Sequence, residues 1–148
     1  MIPQNIADAI DALPGNHKRR PEDLPKVEEN LARLGLLEHD QIADFYRTYM
    51  SASIGRDGMA ELLDICVPND SLFNATEFAC DAYDLRGPFV CLTTGEGEGF
   101  YLFDKDTGGI FDVAVSDFGA LEAGELKPAW PNFLALIESY VIENDAVN

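Results

Sequence analysis

One short segment, DKDTGG at positions 104–109, has carboxylates at a spacing close to that of a metal-binding loop. Asp104 and Asp106 match the first two oxygen ligands of a calcium loop, and Gly109 matches its turn glycine. Gly108 stands where a third oxygen ligand belongs, and Val115 stands where the loop needs a bidentate glutamate. A calcium site is therefore not expected here, and calorimetric titration with calcium should give no heat.

A run of alternating glycine and glutamate at positions 95–99 superficially resembles a phosphate-binding loop. A phosphate loop leads into the first turn of a helix, whose free N–H groups bind the anion, whereas this run leads into a predicted strand. Glu96 and Glu98 would also repel a phosphate group. A hairpin turn is therefore the better interpretation.

The familiar motifs of hydrolases, nucleotide-binding proteins and metalloproteases do not occur. The sequence has no GxSxG, Walker or HExxH motif, and neither His17 nor His39 has the i, i+4 partner of a helical zinc pair. The many carboxylates leave a general acid–base pair open, but their spacing selects none. We therefore expect a protein that is not an enzyme, with no catalytic residue, no cofactor and no metal ion.

The three cysteines, Cys66, Cys80 and Cys91, form no CxxC pair and are odd in number. Each lies among apolar neighbours, where a thiol behaves as a small hydrophobic side chain. We expect all three to be buried and reduced.

Three consecutive strands joined by glycine turns are predicted between Pro88 and Val115. The apolar run Val90–Leu92 is typical of a strand covered on both faces. The aromatic run Phe100–Phe103 predicts a second strand, and alternating apolar residues predict a third over Ile110–Val115. The glycines expected to supply positive φ angles in the first turn are Gly95, Gly97 and Gly99.

The first 20 residues combine a short apolar pattern with a basic cluster. Ile6 and Ile10 predict a short helix that ends at Pro14, although residues 1–20 are also compatible with a loosely attached N-terminal arm. The basic cluster HKRR at 17–20 is expected to be a solvated loop.

Two amphipathic helices follow. The first begins near Pro25 and ends at Gly35, the residue type favoured just after a helix. The second is capped by Asp40 and carries an aromatic face that includes Phe45 and Tyr46. Its bulky rings bring so much apolar area that we expect it to pack on a sheet.

The remaining elements complete an α+β fold. We expect a strand over Met59–Val67, a helix that starts at Thr76 and carries Phe78, an irregular connection over residues 116–127, and a closing helix with Pro131 in its first turn. The predicted architecture is a mixed, mainly antiparallel sheet with the meander at its centre, flanked by helices. A chain of 148 residues fits one such domain.

Charge is the one compositional extreme. The formal net charge is −17, and residues 1–56 hold 7 Lys or Arg against 9 Asp or Glu, whereas residues 57–148 hold 3 against 18. A field of this sign repels nucleic acid and attracts basic proteins, although acidic composition also serves solubility alone. The sequence has neither a secretory signal pattern nor an apolar run long enough for a membrane span, so we expect a cytoplasmic protein.

Several segments together resemble the SUKH superfamily, over roughly Leu36 to Asn144. They are the aromatic helix IADFYRTY, the segment FVCLTTGEGEGFYLFDKDTGGIFDV, the connection LEAGELKP and the closing helix PNFLALIESY. That superfamily includes bacterial immunity proteins and a fungal regulator of cell-wall synthesis. The resemblance implies an α+β protein that acts without catalysis by binding another protein, such as a nuclease toxin.

The leading functional hypothesis is thus a cytoplasmic immunity protein that blocks a basic toxin domain, and the alternative is a regulatory interaction module without a toxin partner. Neither hypothesis involves nucleic acid or membrane binding. The carboxylates expected to contact the partner, or otherwise to be solvated turn residues, are Glu96, Glu98, Asp104, Asp106, Asp112 and Asp117.

Overall fold

The structure is a computed structural model that describes residues 2–51, 54–56, 58–66, 71–95 and 98–142. Within these residues the chain forms six α-helices and one three-stranded antiparallel sheet, which confirms the predicted α+β fold. The helices are α1 (Gln4–Asp11), α2 (Leu24–Leu34), α3 (Asp40–Thr48), α4 (Leu72–Tyr83), α5 (Phe118–Glu122) and α6 (Phe133–Val141). The strands are β1 (Phe89–Cys91), β2 (Gly99–Asp104) and β3 (Ile110–Ala114), in the spatial order β1-β2-β3.

The register of this meander divides its side chains between two hydrophobic clusters, one on each face. Val90 lies opposite Phe103, which in turn lies opposite Ile110, and all three belong to the first cluster. Cys91 lies opposite Leu102, and both belong to the second cluster. Because both faces are covered, every residue of β1 is buried, as predicted for an uninterrupted apolar run.

Helices α1, α2, α3 and α6 contribute to the first cluster. Helix α1 packs against α6, and its Ile6 and Ile10 side chains are buried. It is therefore part of the packed structure instead of a loosely attached arm.

Helix α3 differs from its prediction in two respects. Its rings meet another helix more than the sheet, because Phe45 and Tyr46 both contact Phe133 of α6, with ring centroids 5.3 and 5.9 Å apart. Asp40 is the first residue of the helix, and the residue at the N-cap position is His39, whose side chain makes no capping hydrogen bond. The wide aromatic face is thus hidden mainly between helices.

Helices α4 and α5 cover the second face of the sheet. Helix α4 begins one turn earlier than predicted, because the hydroxyl of Ser71 accepts the N–H of Asn74 at 3.3 Å and caps the helix there. The expected first residue, Thr76, lies inside the helix, where its hydroxyl accepts the N–H of Cys91 at 2.9 Å and ties α4 to β1. Helix α5 lies within the connection that was expected to be irregular.

The strand predicted over Met59–Val67 does not form in the described part of that segment, which ends at residue 66. The chain makes only single bridges there, from Leu62 to Thr93 and from Asp64 to Ser71. Similarly, Pro131 precedes α6 instead of lying in its first turn, and the side chain of Asn132 caps the helix by accepting the N–H of Ala135 at 2.9 Å.

The basic cluster at 17–20 is not a solvated loop. It runs alongside the end of α3, where Arg19 N–H donates to the carbonyl of Thr48 at 2.9 Å and Met50 N–H donates to the carbonyl of His17 at 2.7 Å. In such an extended segment alternate side chains face inwards, so His17 and Arg19 are buried.

Every nitrogen of the buried Arg19 guanidinium donates a hydrogen bond. Its guanidinium meets the two carboxylate oxygens of Asp64 at 2.9 Å each, and it also donates to the carbonyls of Tyr46 and Tyr49 at 2.8 and 2.9 Å. Burial alone would raise the pKa of Asp64, but the hydrogen bonds and charge of Arg19 outweigh it and hold that pKa below its usual value. The carboxylate therefore stays charged inside the protein.

Candidate protein-binding surface

The carboxylates that were expected to contact a partner do not lie together. Glu98 precedes β2, and Asp117 lies in the short 3₁₀ turn after β3, so both are at one end of the meander. Asp104 and Asp106 lie at the opposite end, about 17 Å away along β2 at about 3.4 Å per residue. Glu96 lies outside the described residues.

Asp104 shapes a turn. Its side chain is buried and accepts the N–H of Asp106 at 2.8 Å, the arrangement of an Asx turn. The prediction that Asp104 offers its carboxylate to a partner is therefore not supported by its position. Within the described residues, no group of three or more His, Cys, Asp or Glu side chains is arranged to hold a metal ion.

Asp106 and Asp112 are both exposed, and Asp106 lies at the opposite end of the meander from Glu98 and Asp117. Asp106 lies in the β2–β3 turn, whose Lys105 donates to the carbonyl of Leu34 at 3.1 Å and so places the turn against the end of α2. Asp112 lies on β3 opposite Tyr101.

The most exposed aromatic residues of the described chain lie on α4. Phe78 is 55% exposed and Tyr83 is 38% exposed, and their rings make an edge-to-face contact at 5.7 Å. The ring of Tyr83 also approaches those of Phe100 and Phe118, at 6.3 and 6.4 Å. The exposed pair therefore rests on the second hydrophobic cluster, and contiguous exposed apolar surface is a feature of protein interaction sites.

Two cavities adjoin this aromatic pair. The first has a volume of about 360 Å³ and is lined mostly by apolar groups, among them Leu63, Ala75, Phe78 and Phe100. The second has a volume of about 330 Å³. Its lining residues are Tyr83, Glu98, Ala114, Val115 and Ser116.

Four exposed carboxylates lie on the elements that carry or adjoin these rings. Glu77 and Asp81 lie on α4 itself, and Glu98 and Asp117 lie on the adjoining end of the meander. The basic side chain beside them, Arg86, is already paired with Asp84 at 2.6 Å. We refer to Phe78, Tyr83, the two cavities and these four carboxylates as the α4 surface.

The first glycine turn differs from its prediction in a way that concerns this surface. Gly95 and Gly99 do not have positive φ angles, and Gly97 lies outside the described residues. The positive angle belongs to Glu98, with φ of 62°. Gly95 is needed for space, because a Cβ atom there would lie 2.7 Å from Cζ of Phe100.

The exposure of Phe78 was missed because Phe78 was counted among the apolar residues of its predicted helix. The sequence holds no signal that separates Phe78 from Ala79, because neighbouring residues can share the apolar face of a helix, as Leu136 and Ile137 do in α6. In the structure Ala79 is buried, whereas Phe78 faces outwards.

The cysteines differ in environment. All three are free, but only Cys91 is buried, while Cys66 is half-buried and Cys80 is exposed on α4. The prediction of burial is therefore wrong for Cys80 and only partly met by Cys66.

No protein-family model, curated protein or solved structure matches the chain. No helix in the described ranges is long and apolar enough to cross a membrane. The geometry and charge of the α4 surface are therefore the basis for assigning a function.

Proposed function

We propose that this chain is a cytoplasmic, non-catalytic immunity protein that binds and neutralises a basic, nuclease-type toxin domain. The observation that carries the proposal is the α4 surface, where Phe78 and Tyr83 stand exposed between two cavities and among carboxylates. The proposal also agrees with the resemblance to the SUKH superfamily.

The composition of the α4 surface is that of a protein interface. Binding energy at such interfaces is concentrated in a few central residues, aromatic ones above all, while polar residues around them exclude water and set specificity. Phe78 and Tyr83 supply the aromatic centre, and Glu77, Asp81 and Glu98 supply a polar rim.

The charge favours a basic partner. A nuclease must present a positive face to hold phosphate groups, and a protein with a net charge of −17 attracts that face over long distances. Binding there would cover the phosphate-binding groups of the toxin, so that neutralisation requires no chemical step. Of the residues expected from the sequence, Glu98 and Asp117 belong to this proposed interface, whereas Asp104, Asp106 and Asp112 do not.

The test is rescue of bacterial growth. The chain is co-expressed with the toxin domain encoded by the adjacent gene, and the two purified proteins are also mixed in a pull-down assay. We expect binding and rescue with the unchanged chain, and loss of both in the double variant Phe78→Ser and Tyr83→Ser. The matched control is Leu37→Ser, because Leu37 is 45% exposed but lies outside the α4 surface.

Three outcomes have different meanings. Rescue that survives the double variant but fails in the control would place the interface elsewhere and contradict the role of the α4 surface. Binding without any rescue would favour a regulatory interaction module. Absence of binding to a toxin encoded next to the gene would refute the immunity function.

A further inference from the structure

The cavity of about 330 Å³ between α4 and the end of the meander is lined by aromatic, apolar and polar groups. Tyr83 contributes an aromatic ring, Ala114 and Val115 contribute apolar surface, and Glu98 contributes a carboxylate. Ser116 adds a hydroxyl. A site with an apolar wall, a ring and a negative charge is complementary to a long cationic side chain.

The backbone at Glu98 supports a role for its carboxylate. Glu98 adopts φ of 62°, a conformation that non-glycine residues adopt only at an energetic disadvantage. Glycine would relieve this strain, and glycines are frequent in this turn. A glutamate nevertheless occupies the strained position, and its side chain lines the cavity.

We propose that this cavity is the recognition pocket for a single arginine side chain of the protein partner, with Glu98 pairing the guanidinium and Tyr83 stacking against it. The inference rests on the proposed function for its partner, but the pocket itself is testable without one. Arginine fits better than lysine because its planar group both stacks on a ring and pairs with two carboxylate oxygens. A neutral side chain of the same shape would lack the charge that Glu98 selects.

Two of the basic residues that follow position 56 are engaged with groups other than Glu98. Arg86, the basic residue next to α4, is paired with Asp84, and its backbone N–H donates to Glu122 at 3.0 Å. Lys105 is bound to the end of α2. Within the described part of the chain, neither of these cations is placed to neutralise Glu98 from inside the protein.

The probe is a blocked tripeptide with arginine at its centre, added to the isotope-labelled full chain while backbone amide shifts are recorded by NMR. We expect weak, saturable binding with shifts centred on Ala114, Val115 and Ser116. The lysine peptide should bind about twofold to fivefold more weakly, since it cannot stack and pair at once. The citrulline peptide, which is neutral and nearly the same shape, should bind more weakly than the arginine peptide by at least the same factor, because it can make neither the ion pair with Glu98 nor the cation–π contact with Tyr83.

The variants test the two named contacts. Glu98→Gln and Tyr83→Leu should each weaken arginine-peptide binding by about twofold to fivefold, as expected for an exposed ion pair or cation–π contact. Glu98→Gly should abolish the preference for arginine over citrulline while the amide spectrum of a folded protein is retained. Asp106→Asn is the matched control, because it removes the same charge at the opposite end of the meander and should leave binding unchanged.

Equal binding of the arginine and citrulline peptides, or equal weakening by Asp106→Asn and Glu98→Gln, would overturn the pocket. Failure of the pocket and failure of the immunity function are distinguishable. If the arginine peptide binds but no toxin partner does, the pocket is supported and the immunity function is refuted. If a toxin complex forms equally well with the Glu98→Gln variant and the peptide does not bind, the immunity function is supported and the pocket is refuted.

Discussion

Replacement of Arg19 by methionine should destabilise the protein by about 3–5 kcal/mol, the usual penalty for removing one partner of a buried ion pair. The side chains of Arg19 and Asp64 are only 2% and 4% exposed, so water cannot replace the lost contacts. The variant would leave the Asp64 carboxylate with the backbone N–H groups of Ser51 and Cys66, at 3.1 and 3.3 Å, and the more distant hydroxyl of Ser51, at 3.5 Å, as its remaining donors. It would also leave two carbonyls of the α3 end without the guanidinium that they share.

The measurement is urea unfolding at neutral pH, followed by circular dichroism. Arg20→Met is the matched control, because Arg20 is the next residue and its pair with Asp23 is exposed, so its loss should cost less than about 1 kcal/mol. The double variant Arg19→Met and Asp64→Leu should be more stable than the sum of the single losses predicts, since neither charge is then left alone. Equal losses of unfolding free energy in Arg19→Met and Arg20→Met would refute the reasoning. So would a double variant whose loss equals the sum of the losses in Arg19→Met and Asp64→Leu.

Three further outcomes are expected. The pKa of Asp64 is lower in the folded state than in the unfolded state, so the charged carboxylate stabilises the protein fully above its unfolded pKa of about 4. This stabilisation should be lost as the pH falls through the pKa of the folded state, which unfolding measured at a series of acidic pH values would show. Gly95→Ala should lower the free energy of unfolding, measured by heat or urea, by about 1–3 kcal/mol, because the new Cβ atom would lie 2.7 Å from the buried ring of Phe100. Gly119→Ala is the control and should not destabilise the protein, because no atom lies within 4 Å of the position of its Cβ. Cys80 is exposed and should react with Ellman's reagent in the native protein. Cys91 should react only on unfolding, because it is buried and burial raises its pKa to about 12. Equal rates of reaction at the two thiols would contradict these placements.

The meander was predictable because its determinants are local. Each strand is a short apolar or aromatic run, each turn carries glycine, and consecutive strands are neighbours in the sheet. The helices α2, α3, α4 and α6 were likewise indicated by apolar residues, with errors at their first residues. At α4 and α6 the error arose because a side chain other than the expected one provides the cap, Ser71 for α4 and Asn132 for α6.

The buried ion pair was not predictable because its partners lie 45 residues apart and each looks solvated in its own segment. The same contact accounts for the wrong strand over Met59–Val67, because it fixes the chain around Asp64. Where a carboxylate is bonded to an arginine and two backbone N–H groups, the local chain follows those bonds instead of a strand ladder. The α4 surface was missed for a related reason, since only packing decides which apolar residues of a helix stay outside.

The separation between Arg19 and Asp64 along the chain also has a kinetic consequence. The two hairpins of the meander join neighbouring segments, so they can form early in folding with little loss of chain entropy. The ion pair closes a much longer loop and requires α3 to be in place, so it belongs to the later steps. Contacts made after the rate-limiting barrier act mainly on the rate of unfolding, and this pair would therefore determine how long the folded protein lasts more than how quickly it forms.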